Sequence, residues 1–372
     1  METDALTAGT LRELRATRPY PAVSLTMPTH RRPDNAQDAV RLRNLIAEAE
    51  RRVENDPDAS RRTRMNIKGQ LQRVASEVDL RHSLDGLVMY ATEDDHQLWV
   101  LPRPVPERVV ISDSFLTRNL VAAKARARPY WVLGVAADRA TLWSGSGRSL
   151  QPHEGDGFPA EPEHLEWDPE RLEQIGDYPS TFSNEETRRF LRTVDSALAA
   201  LLGADARPLY LVGLPDAVGL LKEVGTASDA AVATVLKGGL TDAPEPTLLE
   251  ELAPALEEFA RQETERVGAR LEEARSRRTF AAGLDEVWES VCEGRAELVA
   301  VEEDYQRIVR LSDGHLVPVD GDAEQAGGFE GGVREDIVDE VVETALDKGA
   351  EVVLLPPDTL AGHEHIAAVL RY

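Results

Sequence analysis

Cysteine is nearly missing from the chain: Cys292 stands alone among 372 residues. One thiol excludes an intrachain disulfide and fits a reducing compartment. No apolar run approaches the roughly 18 residues that a membrane-crossing helix needs. The opening METDALTAGTLREL is acidic and mixed. It has neither the basic stretch nor the apolar core of a secretory leader. The expectation is a cytoplasmic protein with no membrane contact. Positive charge is also short: 42 Lys and Arg face 67 Asp and Glu, for a formal net charge of −25. Such a chain repels nucleic acid and acidic lipid on average, so any contact with RNA must come from local basic patches. No internal repeat of about 20–50 residues recurs.

What is present suits a globular protein: 42% hydrophobic and 29% charged residues. The length predicts two or three domains at about 100–200 residues each. The pattern divides into three α/β units, 1–126, 127–245 and 246–372. In the first, Ala22–Thr26 reads as a strand ended by Pro28, and Asp34 or Asn35 as the cap of a helix. Leu42, Leu45, Ile46, Ala49 and Val53 give that helix a buried stripe. A second helix follows from Arg61 to Val78, then strands on either side of Asp94-Asp95. The second unit opens on a hairpin turning at Asp138-Arg139. Its stretch 158–184 is long and irregular. Strands and helices then alternate. The third unit begins with a long helix from Leu248 to about Arg278, striped by Leu252, Leu256, Phe259, Val267, Leu271 and Ala274. The spacing predicts one further helix over TFAAGLDEVWESVCEG, a hairpin at Ser312-Asp313-Gly314, and an amphipathic helix over REDIVDEVVETALDKG.

Motifs for chemistry are sparse. There is no GxSxG, and the helical apolar pattern around Cys292 predicts a packed thiol. GSGRS (Gly145 to Ser149) joins two strands and lacks the phosphate-loop spacing. His363 and His365, two apart, lack a clear third ligand, so no metal, cofactor or catalytic residue is assigned. Three basic clusters stand out against the acidic background. Arg61, Arg62, Arg64, Lys68 and Arg73 form one. Arg118, Lys124, Arg126 and Arg128 form another, and Arg275, Arg277 and Arg278 the third. Arg31 and Arg32 sit between a strand and a helix start, where backbone amides favour anions. Arg31, Arg32, Arg61, Arg62, Arg64, Lys68, Arg73, Arg126 and Arg128 are the candidate RNA contacts. Ordinary solvated helix faces are the plain alternative.

The stretches YPAVSLTMPTH, PYWVLGVAADRATLWSG and GAEVVLLPPDTLAGHEHIAAVLRY resemble the bacterial relatives of archaeal and eukaryotic peptide-chain release factors, the group that includes eukaryotic release factor one and Pelota. The resemblance implies a lineage-variable N-terminal α/β domain, an RNase H-like middle domain, and an L7Ae/L30-like C-terminal α/β/α sandwich. It implies the ribosome as partner, through rRNA and tRNA, and an elongation-factor-type GTPase. It makes His363 and His365 structural or interfacial. In the family, a middle-domain loop carries Gly-Gly-Gln to the peptidyl transferase centre. Here the corresponding stretch, 158–184, holds four prolines and seven acids and no such triplet. The expectation is a ribosome-associated factor for rescue, quality control or hibernation without peptidyl-tRNA hydrolysis. Two other readings stand beside it. One is a metal-dependent hydrolase of tRNA or nucleic acid using Asp138, Asp156 and Asp168. The other is a protein-binding adaptor that touches no RNA.

Overall fold

The computed structural model describes residues 6–16, 18–31, 36–126, 128–162, 185–312, 314–319 and 332–372. The described residues mix helices with strands in four sheets, so the chain is α/β. Two compact units emerge, one of residues 1–126 with 266–372, the other of 127–265.

In residues 1–126, helix α1 (Ala8–Arg15) is capped by Thr7, whose Oγ1 accepts the Thr10 N–H at 3.0 Å. Strands β1 (Ala22–Pro28), β2 (Gly86–Ala91), β3 (His96–Leu101) and β4 (Arg108–Ser112) form an antiparallel sheet in the order β3-β2-β1-β4. Successive β1 side chains point to opposite faces. Val23, Leu25 and Met27 pack against α2 (Ala36–Asn55) and α3 (Arg61–Glu77) through Leu45, Ala49, Ile67 and Leu71. On the other face, Ala22, Val88, Tyr90 and Trp99 pack against Leu14 of α1 and Leu120 of α4 (Arg118–Arg126). Covering both faces buries every residue of β2, which accounts for the unbroken apolar run GLVMYA.

The 127–265 unit is built on β5 (Pro129–Val135), β6 (Ala140–Ser146), β7 (Ser149–Pro152), β8 (Leu209–Gly213) and β9 (Ala231–Leu236), in the order β7-β6-β5-β8-β9. β5 pairs antiparallel with β6 and parallel with β8, which in turn pairs parallel with β9. Helices α5 (Glu185–Ala204) and α6 (Pro215–Val224) cover one face through Phe190, Leu191, Val194 and Leu221. The first turns of α7 (Glu245–Arg277) cover the other through Leu248 and Leu252.

In residues 266–372, the sheet order is β10-β16-β11-β15, from β10 (Phe280–Ala282), β11 (Ala296–Glu302), β15 (Glu351–Leu355) and β16 (Ile366–Leu370). Between β11 and β15 come β12 (Val309–Ser312), β13 (His315–Pro318) and β14 (Val333–Arg334), a small second sheet. Helices α8 (Leu284–Cys292) and α9 (Ile337–Asp347) cover one face, and Val267 and Leu271 of α7 the other. One expectation fails here: TFAAGLDEVWESVCEG is not a single helix. Ala281 and Ala282 pair with Ala368 and Ala367, and Gly283 at φ 81° breaks the chain before α8 begins. Pairing with the final strand outweighs the helical preference of Ala-Ala.

The two terminal histidines serve the fold. The last strand is preceded by a tight turn in which Glu364 and His365 both take left-handed backbone angles, φ 55° and 68°. Glu302, 2% exposed, holds that turn: its carboxylate accepts the Leu360 N–H at 2.6 Å and meets His365 Nδ1 at 2.7 Å. Burial alone would raise the Glu302 carboxyl. The His365 ring and the backbone N–H outweigh burial and hold it below its ordinary value. His363 lies edge-on to Phe280 at 5.3 Å.

Candidate nucleic-acid interface

Residues 1–126 differ in charge from the rest of the chain. They hold 20 Lys and Arg against 18 Asp and Glu, whereas 246–372 hold 12 against 30. Residues 1–126 therefore repel phosphate least.

Helix α3 carries their basic face. Ser60 caps the helix, its Oγ accepting the Thr63 N–H at 3.1 Å. Ile67, Gln70, Leu71 and Val74 are buried. The 3.6-residue period then turns positions 61, 62, 65, 69, 72 and 73 away from the sheet. Arg61, Arg62 and Arg73 are exposed along this face, with Met65 69% exposed among them. Among the described residues, Arg61 and Arg73 make no ion pair, and Arg62 has only Glu93 at 3.4 Å. Three extended guanidinium groups beside an apolar side chain suit phosphate contact with a base or sugar lying against the methionine.

The other predicted contacts fare differently. Lys68 is ion-paired with Glu54 of α2, which lowers the Glu54 carboxyl. Arg64 is turned inward and donates to the Asp56 carbonyl at 2.5 Å. Arg31 grips Asp85 with two bonds, Nε at 2.9 Å and Nη2 at 2.7 Å, and these bonds raise its already high pKa. Arg32 lies outside the described residues, as does the Arg126 side chain. Arg128 is exposed and belongs to the 127–265 unit. Two members of the second basic cluster do not form a surface patch. Its Arg118 is 2% exposed and bonded to Asp336, and Lys124 is half-buried. In the third, Arg277 is held by Glu273 at 2.6 Å and Arg275 lies 4.0 Å from Glu272.

Sequence reasoning missed Arg43 and Arg51 of α2. Both are exposed, and among the described residues neither makes an ion pair. Their spacing of eight, opposite the stripe of Leu42, Leu45, Ala49 and Val53, was the available signal. Of the three acids considered for metal chemistry, Asp138 is exposed in the β5–β6 turn. Asp156 sits in a separate turn, bonded to His153 Nε2 at 2.9 Å. Asp168 lies outside the described residues, as do 163–184, most of the stretch matched to the Gly-Gly-Gln loop.

Residues 129–295 match the model of the bacterial archaeo-eukaryotic release factor family 3. No curated protein sequence matches. Among solved structures, the chain is similar to an archaeal translation termination factor, aRF1, at 17% identity over 100% of this chain and 99% of that one, with a TM-score of 0.26. It is similar to Dom34 of S. cerevisiae, a translation termination-like factor involved in RNA quality control pathways and interacting with Hbs1, at 12% identity over 77% and 79%, TM-score 0.41. It is also similar to archaeal Pelota in a ribosome-bound model with ABCE1, at 13% identity over 98% and 94%, TM-score 0.40.

Proposed function

Through residues 129–295 the chain is related to the bacterial archaeo-eukaryotic release factors, and from that premise we propose that it is a cytoplasmic, ribosome-associated translation factor. It enters the A-site region of stalled or idle ribosomes, in rescue, quality control or hibernation, and leaves peptidyl-tRNA intact. We take 1–126, 127–245 and 246–372 as its three domains, with the middle one RNase H-like and the last L7Ae/L30-like. The α3 face of the first domain meets rRNA or tRNA, and Arg31, Arg32, Arg126 and Arg128 are further candidate contacts. The acid-rich last domain meets a protein, an elongation-factor-type GTPase.

The single observation that carries this reading is the family match joined to a missing triplet: no Gly-Gly-Gln occurs anywhere in the 372 residues. Without glycines that let the backbone approach the ester, and a glutamine to place water, hydrolysis by the family route has no equipment. The local balance of charge supports RNA contact by 1–126 despite the net −25. No helix among the described residues is long and apolar enough to cross a membrane.

Two measurements test this. Lysates of growing and starved cells are sedimented through sucrose at low and moderate salt. The protein is expected with ribosomal particles in at least one state, and to leave them as salt rises. Residence at the top of the gradient in every condition removes the reading. Association that ignores salt turns it into the adaptor reading. Purified ribosomes carrying peptidyl-tRNA should then keep the ester intact when the protein is added.

A further inference from the structure

The solvent side of α3 is a strip whose charges run in lanes. Arg61, Arg62, Met65, Gly69, Gln72 and Arg73 turn to it at the helical period, and none of them is an acid. The acids stand along both edges. Toward α2, Glu54 is ion-paired with Lys68, and Glu50 accepts from Gln72 Nε2 at 3.2 Å. Toward β2 and β3, Glu77 meets His96 Nε2 at 2.9 Å. On that edge Glu93 accepts from Asn66 Nδ2 at 2.9 Å and from the Thr63 hydroxyl at 3.1 Å, and lies 3.4 Å from Arg62. The Glu54 and Glu77 side chains are more than half exposed, so their charge faces solvent beside the strip.

A positive centre between negative edges selects the width of a ligand. A helix with its side chains is about 10–12 Å across, so the strip has room for one sugar–phosphate strand. A helix seated in a duplex groove needs the reverse layout, because a row of phosphates runs along each wall of the groove. There Glu50 and Glu54 would meet one row, and Glu77 and Glu93 the other. The major groove of an RNA duplex is also too narrow for side chains to read. A duplex laid on the strip by its outer surface sets its second strand over one acidic edge. A lone strand running along the strip meets arginine and avoids both edges. Arg61 and Arg73 are twelve positions apart, which is about 18 Å of helix and spans several successive phosphates.

Met65, Gly69 and Arg73 follow at four-residue spacing along one line of the strip. Met65 is 69% exposed, and a Cβ on Gly69 would meet nothing within 4 Å. The helix surface is therefore bare between Met65 and Arg73. It forms a shallow dip with a thioether at one end and a guanidinium at the other. A flat ring laid in this dip covers the methionine sulfur and stacks against the guanidinium plane. Bases splay out in this way from unpaired strands, whereas those of a duplex stay stacked on their neighbours. A phosphate alone would leave Met65 in water.

We propose that the α3 strip binds an unpaired strand of RNA, with phosphates along Arg61, Arg62 and Arg73 and one turned-out base in the dip over Gly69 against Met65. The inference rests on the reading of this face as an RNA contact and adds which form of RNA it accepts. Affinity comes from the central arginines and the methionine. Selectivity comes from the edges, where Glu50, Glu54, Glu77 and Glu93 repel the second strand of a duplex.

The test measures binding of the full chain by fluorescence anisotropy. The probe is a labelled RNA of alternating adenosine and cytidine, which cannot pair with itself, used alone and annealed to its complement. At equal salt the lone strand is expected to bind about tenfold tighter than the duplex, or better. Met65→Ala, at an exposed position, should weaken the lone strand about fivefold and leave the duplex and the salt slope unchanged. Changing Glu50, Glu54, Glu77 and Glu93 together to Gln should raise duplex affinity and close most of the gap. Should that quadruple variant fail to fold, the unsubstituted chain and Met65→Ala decide. A duplex bound as tightly as the lone strand overturns the proposal. So does a Met65→Ala protein that tracks the parent, or a folded quadruple variant that keeps the parent's preference. Binding of neither RNA by a protein that still sediments with ribosomes also overturns it and leaves the ribosomal reading in place. If neither RNA nor ribosomes are bound, the ribosomal reading falls with it.

Discussion

Arg118 and Asp336, 218 positions apart in the chain, are paired at 3.0 Å with side chains only 2% and 1% exposed. A pair this dry costs desolvation on both sides and stands only if both partners are kept. Removing one leaves the other charged in a closed place. Arg118→Ala is expected to lower the stability of the full chain by about 3 kcal/mol in urea unfolding, at the low end for buried pairs because Arg108 still reaches Asp336. Replacing both, as Arg118→Met with Asp336→Leu, should cost less than the single change. If the double variant is the weaker, the pair is strongly net-stabilising and that reasoning fails.

This pair also marks where the sequence stops being legible. Arg118 reads as one of four cations in TRNLVAAKARAR, and nothing in that stretch says that its partner lies beyond residue 330. The amphipathic pattern of α9 is plain, with Ile337, Val338, Val341 and Val342 buried. The opposite side reads as solvated acid. In the fold Asp339 and Glu343 are buried too, because α9 is covered on both sides. Short-range signals carried further. The α2 stripe and the hairpin at Asp138-Arg139 follow from periodicity and turn chemistry alone. The α3 face was legible as a cluster, but which of its cations stay free depends on Glu54 and Asp56, set by how α2 packs.

Glu302 offers a test on the acid side. Its carboxylate holds both Leu360 and His365, and Glu302→Gln can satisfy only one of them as an acceptor. The expected cost is about 1–3 kcal/mol. The Glu302 carboxyl is held below its ordinary value, so its contribution is present above the unfolded carboxyl pKa, about 4.3. That contribution is lost as pH falls through the lower folded value. A melting series in acid should show this step in the parent and not in Glu302→Gln. An identical series for both proteins assigns the turn to other contacts.

Two glycines in the 127–265 unit should respond in opposite directions. In β8, a Cβ on Gly213 would stand 2.4 Å from the Val135 carbonyl oxygen of the adjoining β5, an atom that cannot swing away. Gly213→Ala is expected to cost about 3 kcal/mol by forcing two central strands apart. On α6, a Cβ at Gly219 would meet nothing within 4 Å. Gly219→Ala should gain up to about 1 kcal/mol from helix propensity. Thermal melting of the two variants side by side settles the contrast. Equal shifts would mean that the β5–β8 contact is slack.

The α3 face makes the sharpest claim on function. Arg61, Arg62 and Arg73 project to solvent without support from the core, so reversing their charge should leave folding within about 0.5 kcal/mol of the parent. Phosphate binding depends on those charges directly. Each phosphate left without its arginine reduces the steepness of log affinity against log salt by about 0.7–0.9. A triple Arg61→Glu, Arg62→Glu, Arg73→Glu protein should therefore bind purified ribosomes weakly at low salt, with a salt slope shallower by about 2. Arg277→Glu serves as the control. That arginine is already held by Glu273 on α7 and is expected to leave binding unchanged. If the triple variant binds as the parent does while Arg277→Glu weakens binding, the nucleic-acid face belongs to α7 and the assignment to α3 is wrong.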